Sequence, residues 1–188
     1  MAVPALILAS ASPRRRELLS LLTTDFTLRV SEVDERAITA PTPAALAGSL
    51  AEAKARAVAA QCPGALVLGC DTVVDCDGAV FGKPRDRAEV LRMLGALSGR
   101  AHRVHTGVCL CRDGRVETAV ETTVVHFAAI LPEEIRAYAD TAEPYDKAGA
   151  YAIQGRAACW CSGIEGCYYN IMGLPVYRVA VLLKAFPA

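Results

Sequence analysis

The sequence has no surplus of charge of either sign: Lys plus Arg and Asp plus Glu both total 20 in 188 residues. A protein that works on duplex phosphates carries a basic excess, because neutralising phosphates supplies its affinity. The balance therefore argues against a nucleic-acid partner, while leaving room for a local basic pocket that takes a small polyphosphate. Long apolar runs are missing too. No segment reaches the roughly 20 residues that a membrane-spanning helix needs, so no membrane partner is expected. The apolar stretch Val3–Ala9 lacks a preceding basic region and runs straight into Ser12-Pro13-Arg14-Arg15-Arg16. It reads as a first buried strand, not a signal peptide, and places the chain in the cytoplasm. Histidine is scarce: His102, His105 and His126 are too scattered to nominate a base or a metal triad, and His102 and His126 read as strand residues. No repeat, low-complexity segment or linker interrupts the chain, so residues 1–188 are read as one domain.

What is present is apolar surface and cysteine. Apolar residues make up 53% and charged residues 21%, a composition that buries a core and excludes disorder. The eight cysteines come without a secretory signal and in a chain large enough not to need staples, so they are read as reduced, mostly buried thiols. Cys109-x-Cys111 and Cys159-x-Cys161 have strand period, placing each pair on one strand face. A zinc knuckle, the alternative, favours wider spacing.

Strand and helix patterns alternate along the first half. Residues 5–9 read as a strand, Ser12-Pro13 as the start of a helix to Leu22, and Phe26–Val30 as a second strand. An Ala-rich helix follows over 44–60 and ends at Cys62-Pro63-Gly64. Ala65–Val74 is a continuous apolar run, as for a strand buried on both faces. Asp75-Cys76-Asp77-Gly78 reads as a turn, Ala79–Phe81 as a short return strand, and Asp86 as the cap of a helix to Leu97. Two long strands, His102–Cys111 and Val116–Ile130, are joined by Arg112-Asp113-Gly114-Arg115. A helix opens at Pro132 and runs to Ala139, 146–155 is irregular, Ala157–Cys161 with Gly166–Tyr168 suggests a hairpin, and Pro175–Ala185 closes the chain as a helix. The pattern implies an α/β fold with a mixed sheet.

Three stretches carry chemistry. In Ala9-Ser10-Ala11-Ser12-Pro13-Arg14-Arg15-Arg16 a strand ends, two hydroxyls follow, and a helix begins with three arginines. Helix N-termini offer free N–H groups and a positive dipole end, and arginine grips phosphate oxygens with a fork. Three arginines at that end repel unless an anion sits there. In Gly69-Cys70-Asp71-Thr72 a carboxylate interrupts an apolar strand, which is costly unless it is paired or binds metal. Asp71 is thus a functional candidate, with Thr72 on the opposite face. Glu143–Gly155 gathers glycines, small residues and two tyrosines around Asp146, Lys147 and Gln154, as suits a pocket wall whose Gln amide reads a base edge. Lys83, in Gly82-Lys83-Pro84, and the Asp34-Glu35 pair are weak signals alone. Lys54, taken by itself, reads as a surface lysine.

Together Ser10-Ala11-Ser12-Pro13-Arg14-Arg15, Gly69-Cys70-Asp71-Thr72-Val73-Val74, Gly82-Lys83-Pro84, Asp146–Gly155 and Gly173-Leu174-Pro175 resemble, in order and over nearly the whole chain, the signatures of the Maf (septum-formation-type) nucleotide pyrophosphatases, dTTP/UTP subgroup. The resemblance implies an elongated α/β fold related to inosine triphosphate pyrophosphatases, with the active site in a central cleft. It implies hydrolysis between the α and β phosphates with a divalent cation, Mg²⁺ first and Mn²⁺ or Co²⁺ as alternatives, in a homodimer. Carried over by position, Asp71 matches the essential aspartate and Glu35 the acidic metal-site residue, so these two are the expected metal ligands. Lys54 and Lys83 match phosphate-binding lysines. Ser10, Arg14 and Arg15 match the phosphate-binding opening, and Ser12 lies within it. Arg14, Thr72 and Gln154 match the positions that mark the subgroup. Ala152 stands where glycine is usual and Cys70 where alanine is common. The alternative from another class is a non-catalytic nucleotide or nucleic-acid binding module that regulates division; metal-dependent pyrophosphate release separates the two.

Overall fold

A computed structural model of the chain describes residues 6–186. Its elements are β1 (Leu6–Ala9), α1 (Pro13–Leu19), β2 (Phe26–Leu28), α2 (Pro43–Ala59), β3 (Leu66–Cys76), β4 (Ala79–Phe81), α3 (Arg87–Leu97), β5 (Ala101–Arg112), β6 (Arg115–Phe127), α4 (Pro132–Ala139), β7 (Cys161–Glu165), α5 (Tyr168–Ile171) and α6 (Val176–Lys184). The seven strands form one mixed sheet in the order β2-β1-β3-β5-β6-β7, with β4 also on β3. β1 is parallel to β2 and β3, while β3, β5, β6 and β7 follow one another antiparallel. The expected α/β mixed-sheet architecture is therefore what the chain adopts.

The two faces of β3 go to different partners. On one face Ile7, Ala9, Val67, Cys109 and Cys111 pack against Ala51, Ala55 and Val58 of α2. That helix sits on bare backbone. A Cβ added at Gly69 would lie 2.2 Å from the Ala51 carbonyl, and one at Gly107 would lie 2.1 Å from the Ala47 carbonyl. On the other face Leu8, Leu68, Leu110 and Val108 meet Leu18 and Leu19 of α1, Val179 of α6 and Leu174 just before that helix. A third cluster, built on Val74, Val104, Val125 and Phe127, packs α3 and α4 around Trp160 and Tyr151. Each large aliphatic side chain buried this way contributes about 2 kcal/mol.

β3 has an interrupted edge. On the side away from β5 it pairs with β1 from Leu66 to Gly69 and with β4 from Val74 to Cys76. Cys70–Val73 has no strand partner there among the described residues. This places a break in the sheet where β1 has ended and β4 has not begun, and parallel strands present their ligand sites at such carboxyl-end breaks.

Several boundaries differ from those read in the sequence. The first helix stops at Leu19, where the Ser20 side chain and backbone turn back onto the Arg16 carbonyl. β2 ends at Leu28, two residues early. Asp75 and Cys76 belong to β3 rather than to the turn, because Asp75 pairs with both Val80 and Arg103. β6 ends at Phe127; the next amide, that of Ala128, donates to the Trp160 carbonyl instead. The expected tail hairpin is absent. Arg156–Trp160 is a 3-10 turn, so Cys159 and Cys161 do not share a strand face, and Tyr168 starts the short α5. Residue 5 of the expected first strand lies outside the described residues.

Candidate active site

Two clusters meet at the break in β3. The first is on the α2 face. Asp71, 8% exposed, receives a hydrogen bond from Lys54 Nζ at 2.5 Å on Oδ1. Lys54, also 8% exposed, reaches Glu35 Oε1 at 2.8 Å. Lys54 is not the surface residue it resembles in isolation. It falls on the buried stripe of α2 with Ala47, Leu50, Ala51, Ala55 and Val58, and the close seating of α2 on Gly69 brings it over the strand. Glu35 opens a 3-10 turn whose N-cap, Asp34, accepts from the Arg36 amide at 3.1 Å. Asp71 Oδ2 has no hydrogen-bond partner among the described residues. One carboxylate oxygen is thus anchored and the other is open.

The second cluster is on the α1 face. Ser12 caps α1, accepting from the Arg15 amide, and Ser10 accepts from the Ser12 amide at 3.2 Å. Arg15 threads between these elements: Nε donates to the Gly173 carbonyl at 2.9 Å, Nη1 to Ser10 Oγ at 3.4 Å and Nη2 to Thr72 Oγ1 at 3.1 Å. Thr72 in turn pairs with Thr106 across the strands at 2.9 Å. Arg14 leaves the same turn on another course and meets Asp146 Oδ2 at 3.2 Å. Burial pushes the Asp146 carboxyl up, but Lys147 and Arg14 more than offset it and hold it below the usual carboxylate range. The Arg14–Asp146 pair joins the β1–α1 side of the break to the loop behind β4, whose Gly149 amide donates to the Gly82 carbonyl.

Of the residues nominated from sequence, Glu35, Lys54 and Asp71 form one contact group, and Ser10, Ser12, Arg15 and Thr72 form another. Lys83 is exposed beyond β4, and Gln154 is exposed in the turn before Arg156; neither is hydrogen-bonded through its side chain to the described residues. Glu35 and Asp71 carry oxygen donors that converge on one cationic centre, the Lys54 ammonium. A donor set of this kind suits a hard divalent cation, which takes few carboxylates plus phosphate oxygens. Among the described residues no group of three or more His, Cys, Asp or Glu gathers to hold a metal without a ligand's help.

The family model described as "Maf-like protein" matches residues 5–186. The chain belongs to the Maf family. Among its Maf relatives, a "dTTP/UTP pyrophosphatase" of Symbiobacterium thermophilum is 55% identical over 181 residues, covering 96% of this chain and 93% of the relative. One of Moorella thermoacetica is 52% identical, covering 96% and 94%. Among solved structures, a HAM1 protein from Coxiella burnetii superposes with a TM-score of 0.53 at 16% identity, over 97% of this chain and all of that one, a likeness of fold alone.

The Maf chain also holds polar residues that sequence reading passed over. Thr106 and Asn170 are wholly buried beside Thr72. Buried Asp75 and His105 form a second chain that ends on exposed Thr122, with His105 reaching Asp75 Oδ2 at 3.3 Å and Thr122 Oγ1 at 2.8 Å. Glu143 anchors the pocket-wall loop: it accepts from the Tyr138 hydroxyl at 2.8 Å and the Arg156 amide at 3.0 Å. A polar residue inside an apolar run was the available signal, as it was for Asp71; cross-strand partners such as Thr106 become visible only with the register.

Proposed function

We propose that this protein is a metal-dependent nucleoside triphosphate pyrophosphatase that cuts dTTP and UTP to the monophosphate and pyrophosphate. The observation that carries the reading is Asp71: a carboxylate buried in mid-strand at a break in the sheet, one oxygen fixed by Lys54 and the other open, next to a helix N-terminus lined with arginine. The names of the close relatives supply the substrates.

Asp71 orients or deprotonates the water that attacks the α-phosphorus, through its open oxygen. Lys54 holds that carboxylate in place, and with Lys83, Arg14 and Arg15 offsets charge on the departing pyrophosphate, the term on which phosphoryl transfer mostly depends. Glu35 and Asp71 would hold the divalent cation, Mg²⁺ by the nature of their donors. Held there, such a cation would supply Lewis-acid charge neutralisation to the triphosphate. Thr72 and Gln154 are assigned to the base. A cytoplasmic location and a homodimer belong to the same reading, the homodimer through the family resemblance.

The test is pyrophosphate release from dTTP, UTP, CTP and the purine triphosphates with and without Mg²⁺, for the wild type and Asp71→Asn. Hydrolysis of dTTP and UTP only with metal, and a rate at least about a hundredfold lower in the variant, are expected. Asn keeps an acceptor for Lys54, so the melting temperature should hardly move. Wild-type turnover by Asp71→Asn removes Asp71 from the mechanism; binding of a triphosphate without cleavage by the wild type turns the protein into a nucleotide-binding regulator.

A further inference from the structure

Thr72 is the only residue of β3 that is not buried, and it lies on the α1 face of that strand, against Arg15. Gly173 keeps it open. Its φ is +105°, and a Cβ there would come 3.3 Å from Thr72 Oγ1 and 3.5 Å from Arg15 Nε.

The direction of every hydrogen bond at this hydroxyl follows from chemistry. Arg15 has only donors, so it donates to Thr72 Oγ1 at 3.1 Å. The main-chain oxygen of Asn170 has only lone pairs, so the Thr106 hydroxyl, 2.9 Å away, gives its single proton there. Thr106 then has no proton for Thr72, and the 2.9 Å contact between the two threonines requires Thr72 to donate. The proton of Thr72 is spent, one lone pair is taken by Arg15, and one lone pair is left uncommitted by the described residues. Arg15 has five N–H groups and commits three of them, to Gly173, Ser10 and Thr72. Two donors and one acceptor are left at this corner.

We infer that Thr106, through its bond to the Asn170 carbonyl, is a positioning residue that makes Thr72 an acceptor only, and so selects uracil and thymine against cytosine. Both favoured bases present an N3–H donor between carbonyl oxygens. Their N–H meets the Thr72 lone pair, while the Arg15 donors that remain serve the phosphates. Cytosine presents a bare N3 lone pair to the same oxygen and leaves both unpaired. A site committed to a ligand's N–H rejects the analogue lacking it far more strongly than shape alone does. This inference rests on the proposed pyrophosphatase reading and on Thr72 facing the base.

The test measures kcat/KM for UTP and CTP with the wild type, Thr106→Val and Thr106→Ser. Valine removes the acceptor for the Thr72 proton and frees it to rotate toward cytosine N3. The UTP-over-CTP ratio should then fall by about tenfold or more, whereas serine restores it. A purely structural role would lower both substrates together and leave the ratio unchanged, which overturns the inference while the pyrophosphatase reading stands. Should the valine variant not fold, the wild type is assayed with 3-deaza-UTP, in which C–H replaces N3–H: about a tenfold loss against UTP supports the acceptor, and equal turnover overturns it. If the wild type cleaves no pyrimidine triphosphate, both this inference and the reading beneath it fall.

Discussion

His102 is packed edge-on against Phe127 and Tyr151, with ring centroids 4.9 and 5.4 Å away, and its Nε2 lies 2.8 Å from the Tyr151 hydroxyl. Its Nδ1 is buried with no partner among the described residues. Burial pushes this imidazole down from 6.5 to about 4, with His126 adding to the shift. The folded state therefore favours the neutral ring. The stability this contributes is fully present above the unfolded value near 6.5 and is lost as pH falls through the folded value near 4. A shift of that size corresponds to roughly 3 kcal/mol. Urea midpoints at pH 7, 5.5 and 4.5 should fall less steeply for His102→Gln than for the wild type; equal slopes would remove His102 as the source. At this scale the sequence is legible where a polar residue breaks an apolar run, as at Asp71. It misleads where a long side chain has two plausible destinations. Lys54 reads as surface by type, yet its spacing from Leu50, Ala51, Ala55 and Val58 puts it on the buried stripe.

The helix α2 rests directly on the backbone of the strands beneath it. Gly69→Ala would set a methyl 2.2 Å from the Ala51 carbonyl and 2.7 Å from the Ala55 amide, so the helix must lift. Overpacking of this kind costs about 1–3 kcal/mol, and here lifting also carries Lys54 away from Asp71. Chemical denaturation should show that loss, and pyrophosphate release should fall with it; an unchanged midpoint would mean that the helix has slack. The long hairpin was readable because Asp113-Gly114 spans a two-residue turn with φ of 48° and 85°, a geometry that Asp-Gly favours. The tail was not. Alternation over Ala157–Cys161 suits a strand, but Trp160 packs 5.0 Å from Tyr138 and its carbonyl accepts from Ala128, which holds the segment in a 3-10 turn. Tertiary contact decides such short segments, and spacing does not report it.

For the whole molecule the thiols offer a readout of folding. Cys70, Cys76, Cys109 and Cys111 are buried, Cys62, Cys161 and Cys167 are half-buried, and Cys159 is exposed. Burial pushes the Cys70 thiol up to about 12 and the Cys109 thiol to about 11, so neither supplies thiolate at neutral pH. A thiol reagent should label Cys159 first and the four buried positions only on unfolding, with the labelling pattern read by mass spectrometry; rapid labelling of Cys70 in the native protein would contradict this core. The fold class and the Asp71 centre were thus open to a reader of the sequence, whereas the pairing of Thr72 with Thr106 and of Arg14 with Asp146 needed the sheet register and the path of the loops. The seating of α2 on Gly69 and Gly107 has a last consequence, for divergence among descendants of this chain. A helix that rests on backbone leaves evolution no room to widen the Lys54–Asp71 side by small steps. On the proposed reading, room for new substrate ranges is left to the opposite rim, in 143–156 and 168–173, and a library aimed at base preference would start there.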